Sequence, residues 1–183
     1  MVNASSACNE ARYLVSQGDP ALWEGVLRED NQHRHLIIDQ LIQNVAPKIQ
    51  DPDELSVVVK AFINADVPND LIKLLEKVVL RNSNFCSNRN LSNLLILTAI
   101  KTDPTRVMDY INRLENFDAS NIGEIATSAA LYEEAFAVYK KFKMNTLAMK
   151  VLINNINDLN RAKEFAQQCN DSDLWSLLPN AQN

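Results

Sequence analysis

Glycine is nearly missing from this sequence, with three in 183 residues. Folds built on many tight turns, or on loops that wrap phosphate groups in backbone amides, need more such positions. Cysteine is equally sparse. Cys8, Cys86 and Cys169 lie far apart with no CxxC pair, which fits reduced, buried thiols in a cytosolic protein better than a disulfide framework. The only histidines, His33 and His35, would sit about 200° apart on a helix. They cannot grip one metal as an i, i+4 pair does, and are read as solvated surface residues. No apolar run reaches the roughly 20 residues that a membrane-spanning helix needs.

Other signals are lacking too. No GxGxxG, GKS/T, HExxH or GxSxG pattern occurs, so neither a nucleotide loop nor a familiar hydrolytic centre is expected. The first residues do not combine a charged region with an apolar run, so no signal peptide is expected. The N-x-Ser triplets at Asn3, Asn90 and Asn170 are then chance matches to the glycosylation pattern. A net charge of −5 and a pI near 5.0 give nucleic acid or an anionic membrane no handle. No catalytic, cofactor-binding or metal-ligating residue is expected.

What is present is helix. The chain is 46% hydrophobic and 22% charged. Its most apolar stretch, RNLSNLLILTAIK at 89–101, carries leucine, isoleucine or alanine on every face. A helix without a polar face must be enclosed by neighbours on several sides. Asp-Pro pairs at Asp19-Pro20, Asp51-Pro52 and Asp103-Pro104 start helices, because aspartate caps and proline is tolerated at the first helical position. Leu55, Val58, Val59 and Phe62 follow the second pair at i, i+3, i+4 and i+7, and Leu71, Leu74, Leu75 and Val78 face inward on the helix after Pro68.

Further helices are expected over 10–16, over 32–45 with Leu36, Ile37, Leu41 and Val45 inward, and after Asp103 with Val107, Met108, Ile111 and Leu114 inward. Others follow Asp118 and cover 131–142, 145–153, 158–169 and 171–178, the last containing Trp175. No segment alternates like a strand, so the fold is all-α. The stretch from Leu131 can be laid over that from Asp158, matching Tyr132 with Leu159, Ala135 with Ala162 and Val138 with Phe165. A small alanine between two large residues lets a partner helix come close. Hairpins of this kind cannot bury their apolar faces alone, so they stack into an α-solenoid of antiparallel helix hairpins, similar to TPR or HEAT superhelices. Tyr132, Phe136 and Tyr139 are read as a core stripe, Glu133 and Glu134 as a solvated face, and Lys140, Lys141 and Lys143 as cations at their own helix's C-terminus.

Long stretches of the chain closely resemble the clathrin heavy chain. They include RYLVSQGDPALW (12–23), DPDELSVVVKAFINADVPNDLIKLLEKVVL (51–80), RNLSNLLILTAIKTDPTRVMDYINRLENFDA (89–119), LYEEAFAVYKKF (131–142) and NDLNRAKEFAQQCNDSDLW (157–175). The resemblance implies about one heavy-chain repeat plus flanking helices, from the distal leg approaching the knee. A solenoid is expected over residues 10–178, with a poorly ordered end at 1–9 and a tail at 179–183. The family's β-propeller, trimerisation region and most of its light-chain-binding leg are absent, so a fragment or a short relative is expected.

The function the resemblance implies is structural, in a coat that supports endocytosis and vesicle-mediated protein transport. It would act in the cytoplasm, on the cytosolic face of coated pits and coated vesicles. Its partners would be other heavy-chain legs in a lattice, with the light chain a further candidate although its main binding region is missing, and neither nucleic acid nor direct membrane insertion is involved. The alternative is a free-standing helical scaffold that binds peptides or helices of partner proteins.

Overall fold

The structure, a computed structural model, describes residues 3–179. Of the expected ends at 1–9 and 179–183, residues 1, 2 and 180–183 lie outside that range. The described residues are all-α, with twelve α-helices and no strand. The chain divides into two compact units, Met1–Thr98 and Ala99–Asn183.

The first unit holds α1 (Ala4–Gln17), α2 (Pro20–Val26), α3 (Arg34–Gln40), α4 (Pro52–Asn64), α5 (Pro68–Arg81) and the start of α6 (Arg89–Thr102). The second holds the end of α6, then α7 (Val107–Arg113), α8 (Ala119–Ser128), α9 (Tyr132–Lys141), α10 (Asn145–Val151), α11 (Leu159–Cys169) and α12 (Ser172–Trp175). Side-chain caps explain most of the starts. Asp19, Asp51, Asp118, Asp158 and Asp171 each accept a hydrogen bond from a backbone N–H in the first turn, at 2.8–3.3 Å, satisfying a donor the helix cannot.

Asp103 departs from this pattern. Its carboxylate takes the Thr105 hydroxyl and, at 3.0 Å, the Arg106 Nε, which hold it below its usual carboxylate range. The expected Asp-Pro helix opens instead as a 3₁₀ turn, Pro104–Arg106, and α7 follows. The first helix differs as well: it starts at Ala4, ahead of the expected residue 10. There Asn3 accepts from the Ser6 amide at 2.9 Å while Ser6 Oγ accepts from the Asn3 amide at 3.0 Å, a reciprocal capping box.

In the first unit α1 packs against α3 and α4, α2 against α4, and α4 against α5. Trp23 and Phe62, both fully buried, meet edge to face at 6.3 Å. Ala7 and Ala11, at 0% exposure, sit where larger side chains would hold α1 away from its neighbours. The helix expected over 32–45 is α-helical only to Gln40; Leu41–Val45 is a wider π turn and Ala46–Lys48, around Pro47, a tighter 3₁₀ turn. A second π turn, Leu152–Ile156, ends α10. The two π turns have nearly the same residues, LIQNV and LINNI. Asn82, buried at the end of α5, donates from Nδ2 to the carbonyls of Ala46 (3.1 Å) and Ile49 (2.7 Å), tying α5 to the link before α4.

α6 is not enclosed on all sides. Ser92, Leu95, Ile96, Ala99 and Ile100 form its buried face, while Leu91, Leu94 and Leu97 are half-buried. Its apolar residues cover more of the circumference than its neighbours do. In α12, Trp175 is 46% exposed and Leu174 is the buried residue. In a helix of one turn only one direction faces inward.

Three links are built alike. Asp66, Ala130 and Lys143 have φ of 54°, 62° and 58°, the left-handed region. The next amide closes the preceding helix: Val67 N to Phe62 O (3.4 Å), Leu131 N to Ala126 O (2.8 Å) and Met144 N to Tyr139 O (2.8 Å), the pattern of a Schellman turn. The same apolar residues begin the next helix, their carbonyls accepting from Leu71, Ala135 and Ala148 at 2.9–3.0 Å. One residue thus ends one helix and starts another.

In the second unit α8 packs on α9, α9 on α7 and α10, and α10 on α11. Ala126, Ala135, Val138, Ala148, Ala162 and Ala166 are fully buried. The matched alanines, Ala135 and Ala162, therefore occupy equivalent buried positions. The closest approach is at Gly123, where an added Cβ would lie 2.3 Å from Tyr139 Cε1. Burial pushes the Tyr139 phenol up, against a hydrogen bond with Thr127 that lowers it.

Replacing Gly123 with alanine would force the Tyr139 ring out of its seat. We expect a loss of about 1–3 kcal/mol in chemical denaturation. A Gly123→Ala chain as stable as the parent would show that the ring has room to move.

Candidate interaction surfaces

The described residues hold no group of three or more His, Cys, Asp or Glu side chains able to bind a metal. His33 and His35 are both exposed at the start of α3. The cysteines are free, but none is buried: Cys86 is exposed and Cys8 and Cys169 are half-buried. The expectation of buried thiols fails most clearly in the loop at 82–88, where Phe85 supplies the inward anchor. Cys86 instead donates from Sγ to the Asn82 carbonyl at 3.2 Å.

Two broad grooves mark the surface. One, of about 730 Å³, runs between α2 and α4 and is lined by Leu27, Val57, Ala61 and Ala65 with Glu24 and Lys60 beside them. The other, of about 670 Å³, runs between α7 and α9 past Met108, Phe136 and Glu133. Neither lining contains a cysteine, serine or histidine, so what these grooves offer is shape and mixed charge.

The second groove is bordered by a bidentate polar contact between hairpins. Arg161 Nη1 and Nη2 reach Glu133 Oε2 and Oε1 at 2.7 and 2.8 Å, a bidentate pair from α11 to α9. The Arg161 guanidinium lies 5.5 Å from the Phe136 ring centroid, and Phe136 meets Phe165 edge to face at 5.3 Å. Glu133 is thus no idle surface acid. Its hydrogen bonds to Arg161 hold its carboxyl below the ordinary 4.5, against the opposing cost of desolvation. Sequence reasoning passed over this pair. The overlay of 131 onto 158 placed Arg161 one residue beyond the counterpart of Glu133, and that was the available signal.

The lysine cluster also divides. Lys140 stands over the Phe136 ring at 5.9 Å, and Lys143 occupies a left-handed link position. Lys141 does not serve its own helix's C-terminus. Its Nζ reaches back to the end of α7, to the carbonyls of Ile111 (2.8 Å), Asn112 (3.3 Å) and Leu114 (2.6 Å). No helix among the described residues is long and apolar enough to cross a membrane.

The profile of the family described as "Region in Clathrin and VPS" matches residues 46–183. The chain is 58% identical to the clathrin heavy chain of Drosophila melanogaster over 174 residues, covering 95% of this chain and 10% of that protein. It is 55% identical to the probable clathrin heavy chain 1 of Caenorhabditis elegans, covering 97% of this chain and 11% of the relative. Against clathrin heavy chain 2 of Homo sapiens the identity is 58%, with 95% and 11% covered. The chain thus spans about a tenth of the length of these relatives.

The clasp between Glu133 and Arg161 gives a pH signature. A carboxylate whose folded pKa is depressed contributes stability that is present above its unfolded value, near 4.5, and lost as pH falls through the lower folded value. Both side chains are partly exposed (52% and 37%), so Glu133→Gln should cost only about 0.5–1 kcal/mol at neutral pH. The difference from the parent should close in denaturation curves taken below about pH 4. An equal loss at pH 3 and pH 7 would mean that the pair contributes through packing alone.

Proposed function

We propose that this chain, which belongs to the family of repeat regions found in clathrin and VPS proteins, is a structural leg segment of a clathrin heavy chain. It carries no chemistry of its own. Its contribution is a stack of helix hairpins presenting shallow grooves and scattered charges to neighbouring legs in a lattice. The observation that supports this most directly is the likeness to clathrin heavy chains across nearly the whole chain.

Physical reasoning favours such a surface. A coat must assemble and come apart, so each leg contact is best kept weak and the lattice held by their number. Exposed pairs within the chain such as Arg28–Asp30 (3.3 Å) and Asp109–Arg113 (3.4 Å) each add little to stability, so their charges could exchange onto a neighbouring leg at small cost. The partners would be other heavy-chain legs. The setting would be the cytoplasm, at the cytosolic face of coated pits and coated vesicles.

The test is a chimera in which this chain replaces the matching segment of a full-length clathrin heavy chain. Cages should form and be seen by electron microscopy at the yield of the parent. Triskelia that trimerise yet fail to close into cages would overturn the proposal. Retention of a partner peptide by the isolated chain, together with that failure, would favour the free-standing scaffold.

A further inference from the structure

We infer that the link between α7 and α8 is a strap latched by Lys141. The link, residues 114–118, carries two buried apolar side chains, Leu114 at 3% and Phe117 at 2% exposure. It leaves the end of α7, where the last carbonyls have no partner within their own helix. Lys141 from α9 meets that need. Its ammonium is aimed at the carbonyls of Ile111, Asn112 and Leu114, with Glu115 Oε1 at 3.6 Å and the Phe117 ring centroid at 6.0 Å. The adjacent residue grips the same strap from its apolar side, since Phe142 packs edge to face on Phe117 at 4.8 Å.

The arrangement is specific to a protonated primary amine. An ammonium has three N–H donors around one nitrogen, and three carbonyl oxygens converge on it here. A guanidinium spreads its donors in a planar fork and would miss at least one of the three. An acylated lysine keeps a single N–H and no charge. The latch therefore holds while Lys141 is a free ammonium and opens when it is not, releasing α7's carbonyls and the seats of Leu114 and Phe117. Lys140 and Lys143 on either side are exposed, which makes them internal controls.

Two measurements on the full chain test this. In limited acetylation with acetic anhydride, read by mass spectrometry, Lys141 should react at least about tenfold more slowly than Lys140 and Lys143, because reaction requires local opening. In hydrogen exchange, Lys141→Met should raise the rates of amides within 114–118 by about tenfold, with Lys141→Arg in between and Lys143→Met unchanged. Equal acetylation of the three lysines would overturn the latch. So would a folded Lys141→Met chain exchanging within about twofold of the parent. If Lys141→Met does not fold, the acetylation pattern of the parent decides.

Discussion

The second unit depends on helices coming close enough for a side chain of one to occupy the place of a Cβ on the next. At Gly123 the Tyr139 ring lies 2.3 Å from where a Cβ would stand, far inside van der Waals contact with an atom that glycine lacks. Ala126, Ala135, Ala148 and Ala162, all fully buried, repeat the theme more gently. Small residues at the centre of an apolar face lower the separation between helix axes. Larger neighbours such as Val138, Met149 and Leu152 then fill the space on either side. Enlarging the small residue separates the pair; shrinking the large one leaves a cavity.

Close packing also explains how so few glycines suffice. Short links must reverse the chain within two or three residues, and glycine is the usual solution. Here Asp66, Ala130 and Lys143 adopt the left-handed conformation instead, at about 1–2 kcal/mol each. Val67, Leu131 and Met144 secure these turns by closing one helix and opening the next. Where a link is longer, side chains tie it down: Asn82 holds the segment before α4, and Lys141 the one after α7.

Much of this was legible in the residues. Aspartate starts at Asp19, Asp51 and Asp118 were legible, because a short carboxylate beside free amides has little else to do, whereas Asp103, read the same way, is taken up by Thr105 and Arg106. The alanine positions Ala135 and Ala162 were legible because large and small residues shared one spacing. The π turns were not, since Leu41–Val45 and Leu152–Ile156 have the same apolar rhythm as an α-helix and differ only in backbone hydrogen bonding. Nor could composition show that Leu91, Leu94 and Leu97 stay half-buried, which depends on neighbours far along the chain. Long-range polar contacts were hardest. Glu133, Arg161 and Lys141 look like ordinary surface charges until the hairpins that join them are folded.

If close contact between successive hairpins is what holds the second unit together, its helices cannot open one at a time. Native-state hydrogen exchange across a denaturant series measures this directly. Amides of α8, α9, α10 and α11 should converge on one opening free energy and one denaturant dependence. Amides of α11 exchanging through a separate opening of lower free energy, while α8 and α9 stay protected, would contradict it.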